Sequence, residues 1–307
     1  CARHGVRLHL YYSHLDWRRD DYFPRGRTGL GTGRTREGRW DDYCAFMNRQ
    51  LTELLTGYGP IGAIWFDGMW DKDIYPDGVT DSTWRLTPQY ALIHRLQPAC
   101  LIANNHHTTP FAGEDIQIFE RDLPGENKAG LSGQAISRLP LETCETMNRS
   151  WGYRMTDQAY KSTADLIRLL VRAAGNDANL LLNVGPQPDG QLPDTALARL
   201  REVGAWMKTY GKTVQGTRGG VVRPHEWGVT TQRGRTLFVH VLSDVDRLIC
   251  LPYAGNRVRQ AVDYRTRVPV RFVQDADGIV LKLPTTAKAD PDFVVEVEFA
   301  EELKTTN

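Results

Sequence analysis

The chain is 307 residues long, 41% hydrophobic and 24% charged, with a formal net charge of +1. That length buries a substantial core and fits one large domain plus a smaller one, while scattered basic residues argue against a nucleic-acid or membrane surface as the main partner. No apolar run approaches the ~20 residues that span a bilayer, and five cysteines, an odd number without close pairs, give neither a disulfide framework nor a zinc site.

The opening CARHGVRLHLYYS has no initiator Met and enters directly on a helix end and a strand, so the true N-terminus is expected upstream and no targeting signal can be read. VRLHLYYS (6–13) reads as a strand. RGRTGLGTGRTREGR (25–39) is basic and glycine-rich but lacks interleaved aromatics, which predicts a solvated loop. Trp40, Cys44, Met47, Leu51, Leu54 and Leu55 fall on one helical face, and IGAIWFD (61–67) is the next strand. A helix around 88–97 precedes the strand CLIANN (100–105), and LETCETMN (141–148) reads as another. Leu166, Leu169, Leu170, Ala173 and Ala174 mark a helix before NLLLNVGP (179–186), and a final helix carries Leu197, Leu200, Gly204 and Met207 inward.

Strand ends at Ser13, Asp67, Asn105, Asn148 and Val184 are spaced 36 to 54 residues apart, the rhythm of β-then-α units. Nearly continuous apolar strands mean burial on both faces and hence a parallel sheet. Five units are too few for a (β/α)8-type (TIM-like) barrel but fit its second half, so the expected fold is such a barrel, N-terminally truncated. Its chemistry would sit at the C-terminal strand ends. After residue 215, TLFVHVL, RLICLP, VRQAVDY, VPVRFVQ, GIVLKLP and DFVVEVEF are short alternating runs, which predicts an antiparallel β-sandwich. The expected domains are 1–215 and 216–307, with the boundary near GTRGG.

Asp67 ends a core strand between Trp65 and Trp70. A lone Asp there is by default a cap or a loop ion-pair partner, but a carboxylate among ring faces is what a sugar site needs. Glycoside cleavage usually takes a second carboxyl group. GEDIQIFERDLPGEN offers Glu114, Asp115, Glu120, Asp122 and Glu126, otherwise an acidic surface loop; Ile118 and Phe119 set Glu120 apart, since an apolar setting retains the proton that a leaving group needs. Trp151 and Tyr153 in NRSWGYR follow a strand, with structural and substrate-facing roles both open for Trp151. Adjacent His106 and His107 make a poor chelate, so hydrogen bonding to substrate is the favoured functional reading and no metal is expected.

Taken in order, HGVRLHLYYSHLDW, IGAIWFDGMW, DIQIFERDLPG, ETCETMNRSWGYR, NLLLNVGPQPDG and GAWMKTYGKTVQGT resemble the catalytic region of the α-L-fucosidases of glycoside hydrolase family 29, over residues 1 to about 217. The resemblance implies a retaining exo-glycosidase acting on fucosylated glycans, without a cofactor. The W-x-D-G motif puts the nucleophile at Asp67 beside Trp65, and the D-x-x-x-x-E pattern puts the acid/base at Glu120 after Asp115, with Glu126 or Glu114 as alternatives. Trp151 would pack near the fucose methyl group, and the tyrosine of the YYS strand end would be Tyr12, with Tyr11 as the alternative. Relatives often carry an arginine at the end of the next strand; ANNHH stands there, so Asn105 or His106 would take over. Relatives also place three barrel strands and sugar-binding histidines upstream of the YYS strand. Their absence leaves an alternative, an inactive or carbohydrate-binding remnant, beside a third reading as another barrel glycosidase such as a galactosidase. The resemblance suggests a secreted, periplasmic or lysosomal protein and leaves oligomerisation open.

Overall fold

In the computed structural model, which describes residues 1–243, 247–285, 287–289 and 291–304, the chain forms two compact units, each with its own apolar core. One comprises Cys1–Glu120 and Gly125–Leu141, the other Arg121–Pro124 and Glu142–Asn307.

The first unit is built on β1 (His9–Ser13), α1 (Trp40–Gly57), β2 (Ala63–Asp67), the short α2 (Asp81–Trp84), α3 (Leu86–Leu96), β3 (Leu101–Asn104) and β4 (Gln117–Glu120). Strands β1, β2 and β3 pair in parallel, with Tyr11 opposite Trp65 and Ser13 opposite Asp67, then Phe66 opposite Asn104. A single parallel bridge, Ala103 to Ile116, leads on toward β4. Because side chains alternate across a strand, the sheet has two characters. Ile64, Phe66 and Ile102 on one face are fully buried against Met47 and Leu51 of α1 and Tyr90 and Ile93 of α3. The other face carries Tyr11, Trp65 and Asp67.

The sequence reading missed β4, because its four residues lie inside an acidic tract whose charge hides the apolar pair Ile118 and Phe119. The described residues form open sheets, and the N-terminally truncated (β/α)8-type barrel expected from the repeating units is not itself shown by them. Closure of such a barrel takes eight tilted strands.

The second unit contains β5 (Leu141–Thr146) beside β6 (Ala178–Asn183), with α4 (Thr163–Gly175) and α5 (Asp194–Tyr210). Helix α4 starts where Ser162 accepts from the Asp165 backbone N–H and Asp165 returns the bond, a capping box that satisfies orphan amides. Ile167 and Val171 of α4 and Trp206 of α5 pack on Val229 and Leu242. Beyond α5 come β7 (Arg218–Gly219), β8 (Gly228–Arg233), β9 (Thr236–Val241), β10 (Leu248–Leu251), β11 (Val258–Asp263), β12 (Arg271–Gln274), β13 (Ile279–Lys282) and β14 (Phe293–Phe299). They form two antiparallel sheets, β11-β14-β9-β8-β7 and β10-β13-β12. Leu237, Val239, Val295 and Val297 of one sheet share a core with Ile249, Leu251, Ile279 and Leu281 of the other, the sandwich that alternation predicted.

Strand β8 escaped the sequence reading because its centre is polar yet buried. Thr230 and Thr231 have no exposed surface, and their hydroxyls donate to the carbonyls of Val222 and Thr213 at 2.7 and 2.5 Å. No helix among the described residues is long and apolar enough to cross a membrane.

Candidate active site

The β2 strand delivers Asp67 to its C-terminal end, and the chain turns at once through Gly68 at φ 94°. A Cβ there would meet Leu15 Cβ at 2.8 Å and the Leu15 nitrogen at 2.9 Å, so the D-G pair is sterically required as well as conformationally favoured. The turn puts two donors on Asp67 Oδ1: the Gly68 N–H at 2.7 Å and the Trp70 indole N–H at 3.1 Å. Asn105 Nδ2, arriving from the end of β3, lies 3.5 Å from the same oxygen. Oδ2 accepts from the Tyr11 hydroxyl at 2.8 Å. Loss of hydration and then the Asp67 charge push the Tyr11 phenol well above its ordinary value, so it stays a donor, even though the ring as a whole is 63% exposed.

Glu120 ends β4, with its side chain 15% exposed. Its Oε2 accepts from Asn105 Nδ2 at 2.7 Å and lies 3.5 Å from His107 Nε2. One amide nitrogen therefore reaches both carboxylates, and since both partners are acceptors, the NH₂ end of Asn105 must face them. His107 sits in the left-handed region at φ 63°, its Nδ1 2.6 Å from the Leu131 carbonyl.

The loop after β1 is fastened to the turn that follows Asp67. Asp71 accepts from the Tyr22 hydroxyl at 2.9 Å and the Thr28 N–H at 2.9 Å, and Lys72 donates to the Pro24 carbonyl at 2.6 Å. Lys72 lies 3.8 Å from the Trp40 ring centre, and burial lowers it to about 8. A Cβ on Gly26 would strike the Asp71 carboxylate at 1.8 Å, so the glycine-rich loop makes a close contact at its first turn. The Arg27 guanidinium covers the Trp70 ring at 4.9 Å.

The expected residues separate accordingly. Asp67, Glu120 and Trp70 come together, and Trp65 lies half-buried beside them, stacked on Tyr11 at 5.7 Å. Tyr12 does not reach Asp67: its hydroxyl donates to Gln50 of α1 at 2.8 Å and its ring packs edge-on against Phe66 at 5.7 Å, on the helix-facing side. The tyrosine at the site is Tyr11, and the signal was available, because strict alternation puts Tyr11 and not Tyr12 on the Asp67 face.

His106 is likewise turned away. Its Nε2 is 3.0 Å from Glu114 Oε1, and its Nδ1 accepts from the Thr108 N–H at 3.1 Å, so both ring nitrogens are committed in a buried setting. Glu114 also accepts from the Tyr90 hydroxyl at 2.9 Å, and Glu126 pairs with Lys128 at 2.7 Å, which leaves Glu120 as the acid that shares a partner with Asp67. Asn105, rather than His106, takes the strand-end contact, and His107 was passed over because adjacency gives no clue to which of two histidines turns outward. Trp151 belongs to the second unit, 37% exposed, with the Arg121 guanidinium 4.9 Å over its ring. Among the described residues, no group of three or more His, Cys, Asp or Glu could hold a metal ion.

The chain is 25% identical to an alpha-L-fucosidase of Dictyostelium discoideum over 309 residues, covering 94% of this chain and 62% of that protein, so it spans less than two thirds of that relative's length. Among solved structures it superposes on alpha-L-fucosidase isoenzyme 1 from Paenibacillus thiaminolyticus with a TM-score of 0.80 and 30% identity, covering 98% of this chain and 73% of that one. The alpha-L-fucosidase from Vibrio sp. strain EJY3 gives a TM-score of 0.80 and 26% identity over 98% of this chain and 53% of that one. A family model described as alpha-L-fucosidase matches residues 1–212, and the chain belongs to the alpha-L-fucosidase family.

Proposed function

We propose that this chain carries the catalytic centre of a retaining exo-α-L-fucosidase that removes terminal fucose from glycans, and that its parallel strands are part of a (β/α)8-type barrel. The observation that carries the reading is the Asn105 bridge. With Asn105 Nδ2 3.5 Å from Asp67 and 2.7 Å from Glu120, the two carboxylate oxygens cannot be farther apart than those two distances laid end to end. That ceiling on one oxygen pair admits the ~5–5.5 Å carboxyl separation of retaining enzymes.

Asp67 attacks the anomeric carbon. Its Oδ2, which takes one hydrogen bond from Tyr11, is the freer oxygen, while the Gly68 and Trp70 donors hold Oδ1 and fix the aim. Glu120 protonates the departing glycosidic oxygen, and after the leaving group departs it takes a proton from the water that releases fucose from Asp67. The Trp65 and Trp70 rings supply apolar faces for the sugar.

Turnover of an aryl α-L-fucoside, with NMR of the first-formed anomer, tests this. The reading expects turnover that vanishes in Asp67→Ala, release of α-fucose before mutarotation, and a much slower rate on the matching galactoside. β-Fucose released first, or binding without turnover by the unaltered chain, would sink it.

A further inference from the structure

We infer that His107 is a positioning residue that shares one proton with Glu120 and so keeps the acid/base loaded. This rests on reading Glu120 as the acid/base. The Leu131 carbonyl, 2.6 Å from His107 Nδ1, can only accept, so Nδ1 carries a hydrogen. The tautomer is thereby fixed, and the remaining nitrogen, Nε2, lies 3.5 Å from Glu120 Oε2. That oxygen also accepts from Asn105 at 2.7 Å; at 3.5 Å the contact is an ion pair when Nε2 carries the proton, and the neutral arrangement puts the same proton on Glu120. Among the described contacts, His107 meets the Glu120 carboxylate at the end of β4 and the Leu131 carbonyl of residues 125–141, and Asn105 links Glu120 to Asp67 at the end of β2.

The proton balance closes over the cycle. In the first half-reaction the bond from Asp67 to the anomeric carbon forms as the glycosidic bond breaks, and the shared proton leaves through Glu120 onto the departing oxygen. The pair is left as a carboxylate beside a neutral imidazole. In the second, water bonds to the anomeric carbon as the ester to Asp67 breaks, and the water's proton returns to Glu120 and the pair. His107 thus gives the proton that Glu120 delivers a second place to rest.

The test compares His107→Gln and Glu120→Gln in the full chain on two substrates, one with a dinitrophenyl leaving group and one a fucosyl disaccharide. For His107→Gln we expect a loss of about tenfold or more in kcat/KM on the disaccharide, within the range of general acid catalysis, little change on the dinitrophenyl fucoside, and an alkaline limb moved to lower pH. Equal losses on both substrates, or an unmoved limb, would overturn the proposal. Imidazole ¹⁵N NMR of His107 gives an independent reading: a proton on Nδ1 throughout, and titration at higher pH in the unaltered chain than in Glu120→Gln. Identical titration in the two would overturn it. If Glu120→Gln itself spares the disaccharide, the acid/base reading and this proposal both fall; if Glu120→Gln is impaired and His107→Gln is not, only the proposal falls.

Discussion

Two histidine–glutamate pairs stand side by side in the first unit and differ in how fully their atoms are used. In the pair His106 and Glu114, side chains 3% and 1% exposed, both ring nitrogens are bonded and Glu114 also takes the Tyr90 hydroxyl. Tyr90 in turn accepts from Asn104 at 2.8 Å, a network that knits α3 to β3. In the pair His107 and Glu120, 19% and 15% exposed, the contact is 3.5 Å long and the carboxylate shares Asn105 with Asp67. The same residue types are structural where every donor and acceptor is satisfied away from water, and available for chemistry where one contact is loose and a second acid is near.

The comparison breaks most sharply at the two glutamates. Glu120→Gln is expected to lose ~10²–10⁴-fold in kcat/KM on substrates with poor leaving groups while its melting temperature barely moves. Glu114→Ala is expected to do the reverse, lowering stability by about 3–5 kcal/mol because removing one member of a buried pair strands the other, with the Tyr90 hydroxyl losing its acceptor as well. Denaturant titration beside kinetics on both variants checks the crossover. A Glu114→Ala protein of normal stability would mean that the buried network is not structural.

The strands, helices and sandwich were legible because period-two and 3.6-residue patterns survive wherever one face is buried. The place of Asp67 at a strand end was legible for the same reason, since the apolar run AIWF stops on it, and the flanking Trp65 and Trp70 weighed against the default reading as a cap. What failed was orientation at the ends of elements. His106 and His107 follow β3 in a loop whose left-handed step at His107 turns successive side chains apart, and no sequence period encodes that step. β4 and β8 were hidden by acidic flanks and by buried threonines, where hydrogen bonds to carbonyls replace apolar side chains.

A third histidine extends the comparison to pH. His14 is fully buried against Phe66, with ring centres 4.4 Å apart, and bonds Gln89 through Nε2 at 2.9 Å. Burial lowers it from 6.5 to about 4. A depressed imidazole favours the neutral form in the folded state, so its contribution is complete above pH 6.5 and is lost as pH falls from 6.5 toward 4. At ~1.4 kcal/mol per unit, the loss across that window is about 3 kcal/mol. Urea unfolding at several pH values is expected to show this decline in the unaltered chain and a shallower one in His14→Gln; parallel curves would place the acid sensitivity elsewhere.

The smallest expected effect separates the adjacent tyrosines. Tyr11→Phe keeps the stack on Trp65 at 5.7 Å but removes the donor to Asp67 Oδ2 at 2.8 Å. A hydrogen bond to a charged group contributes ~1.5–3 kcal/mol, and the lower end applies because the Oδ1 donors remain, so kcat should fall roughly tenfold with little change in KM. Tyr12→Phe removes a bond to Gln50 on the helix side and should leave kcat within about twofold, since that contact touches neither carboxylate. Equal effects from the two substitutions would mean that β1 acts on the site through its packing as a whole, and the assignment of one sheet face to chemistry and the other to the core would have to be given up.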